Sequence, residues 1–320
     1  MLESLTKGNG NIQELNLEGV FTKPKLYQPI KLYELLKKSA LYDKERGHWN
    51  ECMTEMQERK GRYRYGHDQL LGILVEIPFN FQNARQRYEE LKASPFYNTE
   101  CGQWNHYVNE KLNSLDSSCY SYDQLLGVLV EAQFNSAAAR KVYKTLKQPP
   151  LHDTRCGQWN NWVDENQTLV NSSRYANIQL LAVLVEAQFN PNAAYKSYES
   201  LKHTPLYDIE DEQWNCYMNI NQELVVPDRH ANAQLLGVLV EMQFNPEAAR
   251  MKYEALKLTR LYNAGCRQWN QYVNEEKGLV ELSRYAHDQL LAILVEAKLL
   301  SLLSHSTART IPPLPIITEI

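Results

Sequence analysis

The sequence has no excess of positive charge. Its 34 lysines and arginines are outnumbered by 38 aspartates and glutamates, which leaves a net charge of -4. A nucleic-acid-binding protein usually carries a basic patch or stripe, so this composition argues against a nucleic-acid partner. No apolar run approaches the roughly 20 residues that a membrane-spanning helix requires, and the polar N-terminus resembles no export signal. We therefore expect a soluble, cytoplasmic, monomeric protein that binds neither nucleic acid nor membrane.

The sequence also lacks the spacing patterns of disulfide frameworks and metal sites. Its six cysteines include no CxxC pair, and Cys101, Cys156 and Cys266 recur at one position of a repeat, so we expect free thiols. The eight histidines are dispersed without an HExxH sequence, and neither a phosphate loop nor a Ser-His-Asp arrangement is supported. We predict no metal and no cofactor, and no catalytic residue can be named from the sequence.

The sequence does contain an internal repeat of 55 residues. The segment DQLLGILVE at Asp68–Glu76 returns with small changes from Asp123, Ile178, Ala233 and Asp288. The same step separates five tryptophans: Trp49, Trp104, Trp159, Trp214 and Trp269. A fixed period of this length predicts a tandem array in which each repeat packs only on its neighbours.

Each repeat is predicted to contain a helical hairpin. The first helix is apolar over about 200° of its circumference, which is typical of an inner helix packed on several sides. The inner helices are expected near 68–77, 123–132, 178–187, 233–242 and 288–297. An amphipathic outer helix follows each asparagine N-cap at Asn80, Asn135, Asn190 and Asn245. Proline stops three of the outer helices, at Pro95, Pro149 and Pro205.

The segment between hairpins and the two ends of the array complete the predicted architecture. About 25 residues separate each outer helix from the next inner helix, which suggests a short strand or hairpin on the rim. The array begins with a lone outer helix in 27–41 and ends with a lone inner helix in 288–297. If these halves pair, five hairpins close into a ring, and otherwise they form a curved solenoid. Residues 1–26 form a polar N-terminal segment, 27–297 the repeat domain, and 298–320 a divergent, frayed tail.

A resemblance to a known architecture follows from this layout. An apolar inner helix, a capped outer helix and a rim segment of the form LYDKERGHWN, at Leu41–Asn50, resemble the (α/α) toroids of six-hairpin glycosidases and related polysaccharide lyases. The resemblance implies an all-α toroid, and it implies that one or two carboxylates act on a sugar.

Two alternatives stay open for a glutamate repeated near the end of every inner helix: Glu76, Glu131, Glu186, Glu241 and Glu296. The glutamates could line a mouth that holds sugar hydroxyls or transfers protons. They could instead accept hydrogen bonds from a neighbouring repeat, which the helix dipole makes necessary because it disfavours an anion there. We favour the anchoring role, with arginines such as Arg174 among the partners.

Two alternatives also stay open for the repeated tryptophans and the asparagines after them. Exposed indole faces beside amide groups suit the binding of sugar rings or peptides. The tryptophans could equally pin the rim segments to the helices. The candidate ligand-binding residues are the five tryptophans, the five glutamates, and Asn105, Asn160, Asn215 and Asn270.

Two functions follow from these alternatives. Near-identical repeats favour a non-enzymatic scaffold that binds a glycan, protein or peptide through the aromatic and amide rim. The resemblance favours a carbohydrate-active enzyme, either a glycosidase or a lyase. An active site should make one copy deviate from the others, yet the departures at His48, Ile77, Pro78 and His152 assemble no site. We therefore prefer the scaffold.

Overall fold

The computed structural model of the chain describes residues 27–53, 63–109, 114–116, 118–164, 166, 168–219, 224–226, 228–274 and 277–308. The helices in this part of the chain alternate between inner and outer positions. The inner helices are α2 (Gly66–Glu76), α4 (Ser121–Phe134), α6 (Ala176–Ala187), α8 (Ala231–Phe244) and α10 (Ala286–Ala308). The outer helices are α1 (Tyr27–Leu36), α3 (Phe81–Lys92), α5 (Ser136–Leu146), α7 (Pro191–Lys202) and α9 (Pro246–Leu256). None of the described helices is both long and apolar enough to span a membrane.

The inner helices form a closed ring. Each contacts the next along the chain, and α10 contacts both α8 and α2. The outer helix α1 packs against α10, so the two half-repeats complete a fifth hairpin. Almost every residue of α2 is buried, as in the other inner helices, because each has helices on several sides. The prediction of an α/α toroid of five hairpins is therefore confirmed in its closed form.

The outer helices begin as the sequence indicates. The side chain of Asn80 accepts a hydrogen bond from the backbone N–H three residues later, and Asn135, Asn190 and Asn245 do the same. This bond satisfies one of the N–H groups that a helix start leaves without an intrahelical partner.

Short antiparallel strands form the rim, as predicted. Five two-stranded hairpins follow the outer helices: Tyr42–Asp43 with His48–Trp49, Tyr97–Asn98 with Gln103–Trp104, His152–Asp153 with Gln158–Trp159, Tyr207–Asp208 with Gln213–Trp214, and Tyr262–Asn263 with Gln268–Trp269. A second set of sheets joins neighbouring repeats at the N-terminal ends of the inner helices: Arg64–Tyr65 with Tyr107–Asn109 and Ser114–Leu115, Cys119–Tyr120 with Trp162–Val163 and Val170–Asn171, Arg174–Tyr175 with Tyr217–Asn219 and Leu224–Val226, Arg229–His230 with Tyr272–Asn274 and Leu279–Val280, and Arg284–Tyr285 with Cys52–Met53. The last pair joins the final repeat to the first, so strands as well as helices close the ring.

The two ends differ from the prediction in one respect. Helix α10 continues to Ala308, eleven residues past Ala297, where the repeat pattern stops. Residues 1–26 and 309–320 lie outside the described part of the chain. The cysteines are free, as expected.

Candidate functional site

The inner helices start against the backbone of the next repeat, and we call the end of the ring where these helix starts lie the mouth. The first residue of each inner helix is buried and small: Gly66, Ser121, Ala176, Ala231 and Ala286. Its N–H donates to a carbonyl of the neighbouring rim strand, for example from Gly66 to His106 at 2.8 Å and from Ala286 to Glu51 at 3.1 Å. A Cβ at Gly66 would lie only 2.7 Å from the carbonyl oxygen of Asn105, so a larger residue could not start the helix here.

The side chains that follow this small residue differ between repeats. At the next position the five repeats carry His67, Tyr122, Asn177, Asn232 and His287. At the position after that they carry Asp68, Asp123, Ile178, Ala233 and Asp288. The segment that follows, from Gln69 to Glu76 and its equivalents, is nearly the same in all five repeats, so these two positions distinguish the repeats at the start of the inner helices.

Histidines and aspartates from three inner helices and one rim segment meet at this mouth. We call them the axial cluster, which consists of His67, Asp68, His106, Asp123, His287 and Asp288. The Nδ1 atom of His106 lies 2.8 Å from Oδ2 of Asp123, at hydrogen-bonding distance. His67 lies between two carboxylates, with Nδ1 3.4 Å from Asp123 and Nε2 3.7 Å from Asp68. The ring centroids of His67 and His287 are 5.4 Å apart.

Imidazoles face the mouth, and carboxylates lie behind them. The side chains of His67 and His106 are 15% and 19% exposed, whereas that of Asp123 is fully buried. The side chains of Asp68 and Asp288 are 3% and 0% exposed. A ligand in the mouth can therefore contact the two histidines directly, while the aspartates act on it through them.

The surroundings shift the pKa values of the three aspartates in different directions. Burial, with smaller contributions from Glu51 and the other two aspartates, raises the pKa of Asp68 well above its ordinary value. Burial likewise raises the pKa of Asp288. Burial also opposes ionisation of Asp123, but His106 and then His67 overcome it and hold its pKa below the ordinary value. Titratable neighbours with pKa values pushed in opposite directions are a feature of acid–base sites.

Several buried polar atoms of the cluster have no hydrogen-bond partner in the described structure. They include Oδ1 of Asp68 and both carboxylate oxygens of Asp288, and the hydroxyl of the neighbouring Tyr122 has no partner either. An unpaired buried polar group costs about 1 to 3 kcal/mol. Polar atoms kept at such a cost are common at functional sites.

Aromatic side chains surround the mouth. Residues directly opposite each other across the rim strands are aromatic in four repeats: Tyr65 with Tyr107, Tyr120 with Trp162, Tyr175 with Tyr217, and His230 with Tyr272. We call these eight residues the aromatic collar. All are half-buried. Tyr65 contacts both His67 and His106, with ring centroids 5.2 and 4.9 Å apart, which places the collar beside the axial cluster.

The cluster also has donor atoms of the kind that bind a cation. His67, Asp68 and His287 offer one ligand atom each within 4.8 Å of one another, and so do His67, His106 and Asp123. Imidazole and carboxylate suit zinc and similar divalent ions. In the described structure Asp123 already contacts Nδ1 of His106 at 2.8 Å.

The five tryptophans are buried rather than exposed. Their exposed fractions range from 0% to 5%, so the exposed indole face assumed for ligand binding is absent at these positions. The backbone N–H of Trp49 donates to the side-chain amide of Gln69, and that amide donates back to the Trp49 carbonyl. The same pair of hydrogen bonds between tryptophan backbone and glutamine side chain is present in the other four copies. Each indole packs on its inner helix, and a Cβ at Gly127 would lie 2.1 Å from Nε1 of Trp104.

The asparagines after the tryptophans are buried as well. The side-chain amides of Asn105, Asn160, Asn215 and Asn270 donate to backbone carbonyls ten residues earlier in the chain, at 2.6 to 2.9 Å. The geometry gives these amides a role in closing the rim loops.

The repeated glutamates contact outer helices and do not line a lumen. The hydroxyl of Tyr88 donates to Glu131 at 2.8 Å, and Lys92 lies 3.6 Å from the same carboxylate. Glu186, Glu241 and Glu296 have equivalent tyrosine or lysine partners. In the first copy Arg87 binds Glu76 at 2.5 Å instead.

Arginine binds a repeated glutamate only in the first copy of the described repeats, and the expectation that Arg174 does so is wrong. Arg64, Arg174 and Arg229 form ion pairs with Asp43, Asp153 and Asp208 of the rim hairpins at 3.0 to 3.3 Å. Side chains alternate along a strand, so an arginine next to a collar tyrosine points to the opposite face from it.

Reasoning from the sequence missed the axial cluster. Three of the eight histidines come together in the fold although they are dispersed in the sequence. His67 and His287 lie at one repeat position, and His106 directly precedes a neighbouring rim strand. A comparison of the copies at the two positions before the repeated glutamine, such as His67 and Asp68 before Gln69, would have revealed them.

No family model and no curated protein matches the sequence. Solved structures with the same fold do match. A D-mannose isomerase is 9% identical over 87% of this chain and 97% of its own, with a TM-score of 0.56. The cellobiose 2-epimerase from Bacillus thermoamylovorans B4167 is 11% identical over 91% of this chain and 89% of its own, with a TM-score of 0.55.

A glycosidase shares the fold as well. The endoglucanase Cel10 of Klebsiella pneumoniae, a family 8 glycosyl hydrolase, is 13% identical over 87% of this chain and its whole length, with a TM-score of 0.52. The fold is thus the α/α toroid of six-hairpin glycosidase-like proteins, here built from five hairpins.

Proposed function

We propose that the protein is a carbohydrate-active enzyme that transfers protons at the carbon next to a sugar carbonyl. The proposal rests on the imidazoles of His67 and His106, which face the mouth and have buried carboxylates behind them. His106 lies 2.8 Å from Asp123, at hydrogen-bonding distance. Proton transfer by a positioned histidine is the commonest form of general acid–base catalysis. The reaction class is isomerisation or epimerisation of a reducing sugar.

The hydrogen bond to Asp123 defines the role of His106. An ionised carboxylate can only accept, so Nδ1 of His106 donates to it and Nε2 keeps a free electron pair. That nitrogen takes the proton from the sugar carbon, and the C–H electrons form an enediolate whose charge rests on the former carbonyl oxygen. His67 is the second imidazole, and in its protonated form it can return a proton to the opposite face of the same carbon, which gives the epimer. For isomerisation the hydroxyl proton first moves to the charged oxygen, and the neighbouring carbon then takes the returned proton.

The aromatic collar supplies a binding surface for the sugar. Aromatic rings offer flat apolar faces, and tyrosine hydroxyls add hydrogen bonds. Tyr65 and Tyr120 lie closest to the catalytic imidazoles, since Tyr120 stacks on His106 at 3.8 Å.

The names of the structural neighbours support a carbohydrate substrate. A D-mannose isomerase and a cellobiose 2-epimerase share this fold at 9% and 11% identity. They favour an enzyme over the non-enzymatic scaffold, whose exposed tryptophan rim is not found. Hydrolysis is the second candidate, because Asp68 and Asp123 have pKa values shifted apart on the two sides of His67.

Product analysis in heavy water distinguishes these reactions. The purified chain is incubated with reducing monosaccharides, reducing disaccharides and longer oligosaccharides, and the products are followed by NMR. Isomerisation or epimerisation produces a new sugar that carries deuterium next to the carbonyl. Hydrolysis creates new reducing ends without that deuterium.

Two controls sharpen the test. His106→Gln should abolish deuterium incorporation, while His203→Gln, which changes an exposed histidine outside the cluster, should not. A chelator should leave the rate unchanged if no cation takes part. Absence of both new sugars and new reducing ends across the panel would contradict the proposal.

A further inference from the structure

A histidine replaces a tyrosine in the third rim hairpin. In the other four repeats, Tyr42, Tyr97, Tyr207 and Tyr262 pack on the neighbouring tryptophan with centroids 4.7 to 5.1 Å apart. His152 takes this place beside Trp159, at 5.0 Å. The imidazole ring is smaller than a phenol ring, so the space that the hydroxyl end of a tyrosine would fill stays empty.

The consequence is a cavity in the third repeat. The hydroxyls of Tyr42 and Tyr97 lie 3.7 and 3.5 Å from where a Cβ would stand on the hairpin glycines Gly47 and Gly102. At Gly157 no atom lies within 4 Å of that point. A cavity of about 450 Å³ opens there, against about 150 Å³ for the corresponding one in the fourth repeat. The larger volume lies in the range of small-molecule sites.

The same replacement leaves a lysine more exposed. Lys92 and Lys257 each lie over two tyrosine rings. Lys147 lies over Tyr143 alone, with His152 in place of a second tyrosine, and Lys202 likewise lies over a single ring, that of Tyr198. The side chain of Lys147 is 41% exposed, compared with 32% for Lys92 and 26% for Lys257.

The charges around the cavity favour an anion. Lys147 pairs with Glu186 at 3.0 Å, which balances one charge. Lys196 lines the same cavity, is exposed and forms no ion pair in the described part of the chain. Arg174 lies behind the hairpin and is paired with Asp153. The cavity therefore keeps one positive charge in excess.

The cavity also contains a buried imidazole, one of whose nitrogen atoms has no hydrogen-bond partner in the described structure. His152 is only 7% exposed, it lines the cavity, and its Nδ1 atom makes no hydrogen bond in the described structure. Burial, helped by Lys147, lowers the pKa of His152, so the imidazole is neutral and can donate or accept one hydrogen bond. Ser200 adds a hydroxyl to the lining.

We infer that this cavity, between α5, α7 and the third rim hairpin, binds a small ligand made of a six-membered ring with an anionic substituent. The ring lies in the cavity beside His152 and Trp159 and extends into the space left by the phenol end, and the anion contacts Lys147 and Lys196. Both an aromatic acid and a sugar phosphate have this chemistry. The site is separate from the axial cluster and does not depend on the proposed function.

Binding measurements with the full chain test the inference. Isothermal titration uses 4-hydroxybenzoate and glucose 6-phosphate as ring-bearing anions, with inorganic phosphate, phenol and glucose as probes that lack one of the two features. At least one ring-bearing anion should bind with one site per chain and at least ten times more tightly than the three partial probes. Whichever of the two anions binds more tightly shows whether the site prefers an aromatic acid or a sugar phosphate.

Substitutions then place the site. His152→Tyr refills the cavity with the side chain of the other repeats, so it should weaken binding at least tenfold without lowering the melting temperature. Lys147→Met should also weaken binding, whereas Lys141→Met, on an exposed position of the same helix, should not. Unchanged binding in His152→Tyr would overturn the inference, and so would the failure of both ring-bearing anions to bind the wild type.

Discussion

At the scale of single residues, each of the last four inner-helix glutamates is tied to the outer helix before it. Glu131 and Glu241 accept a hydrogen bond from Tyr88 and Tyr198, and a lysine lies nearby in both cases. The carboxylate thus joins neighbouring hairpins and offsets an unfavourable position at a helix C-terminus.

Replacing these glutamates should have a modest and even effect on stability. Glutamine keeps the shape and one acceptor, so Glu131→Gln and Glu241→Gln should each lower the free energy of unfolding by about 1 to 2 kcal/mol. Chemical denaturation measures the loss, and turnover should hardly change. A large loss of turnover at only one of them, with stability unchanged, would show that this glutamate acts in catalysis.

Replacing the buried Asp288 should instead stabilise the fold. Burial raises its pKa in the folded state, so ionisation destabilises the fold as pH rises above the unfolded value of about 3.9. Asp288→Asn should therefore raise the free energy of unfolding by about 1 to 3 kcal/mol at neutral pH. Below about pH 4 the advantage should disappear, because the aspartate is then protonated in both states. A gain that is equal at pH 3.5 and pH 7 would contradict this account.

Single residues also mark the limit of what the sequence can reveal. The repeated tryptophans and glutamates stand out because they recur, but recurrence here reflects a packing requirement met five times. His67 and Asp123 have counterparts in only some of the repeats, His106 has none, and the three lie far apart along the chain. Their proximity depends on ring geometry, which a one-dimensional pattern does not encode.

At the scale of elements, each outer helix depends on its asparagine cap. The side chain of Asn245 accepts from the N–H of Ala248 at 3.1 Å, and Pro246 follows as the first helical residue. Asn245→Ala should lower the free energy of unfolding by about 1 kcal/mol, whereas Asn245→Asp should be nearly neutral. Thermal melting compares the two, and equal losses would mean that the cap bond is not what stabilises this helix start.

Helices were more predictable than their exact ends. Apolar periodicity and asparagine caps indicate the hairpins directly, because both are local. Inner helices begin two residues earlier than predicted, at Gly66 rather than Asp68, since the first N–H groups bond to a neighbouring repeat. Helix α10 extends past Ala297 although the repeat pattern has ended there.

At the scale of the whole molecule, closure joins the two ends of the chain. Helix α1 packs on α10, and Tyr285 pairs with Cys52 across the joining strands. Without α1, the side of α10 that it covers would meet water, and α2 would lose the contact that Tyr33 makes with the Gly72 carbonyl. Deleting residues 1–41 should therefore cause aggregation or a broad, less cooperative melting transition. A melting curve identical to that of the full chain would mean that closure contributes nothing to stability.

Closure also accounts for the position of the axial cluster. His67 belongs to the first inner helix and His287 to the last, and their rings come within 5.4 Å only because α2 and α10 are neighbours in the ring. The site therefore lies where the ends of the array meet.

The most direct test of the account is the rate of deuterium exchange at the sugar carbon in Asp123→Asn. Asparagine keeps the size of the side chain but removes the charge that orients His106. The account predicts that kcat/KM falls by about 100-fold or more, with the melting temperature nearly unchanged. Glu247→Gln, at an exposed carboxylate of α9, should retain full activity. Full activity in Asp123→Asn would contradict the central claim that the axial cluster is the catalytic site.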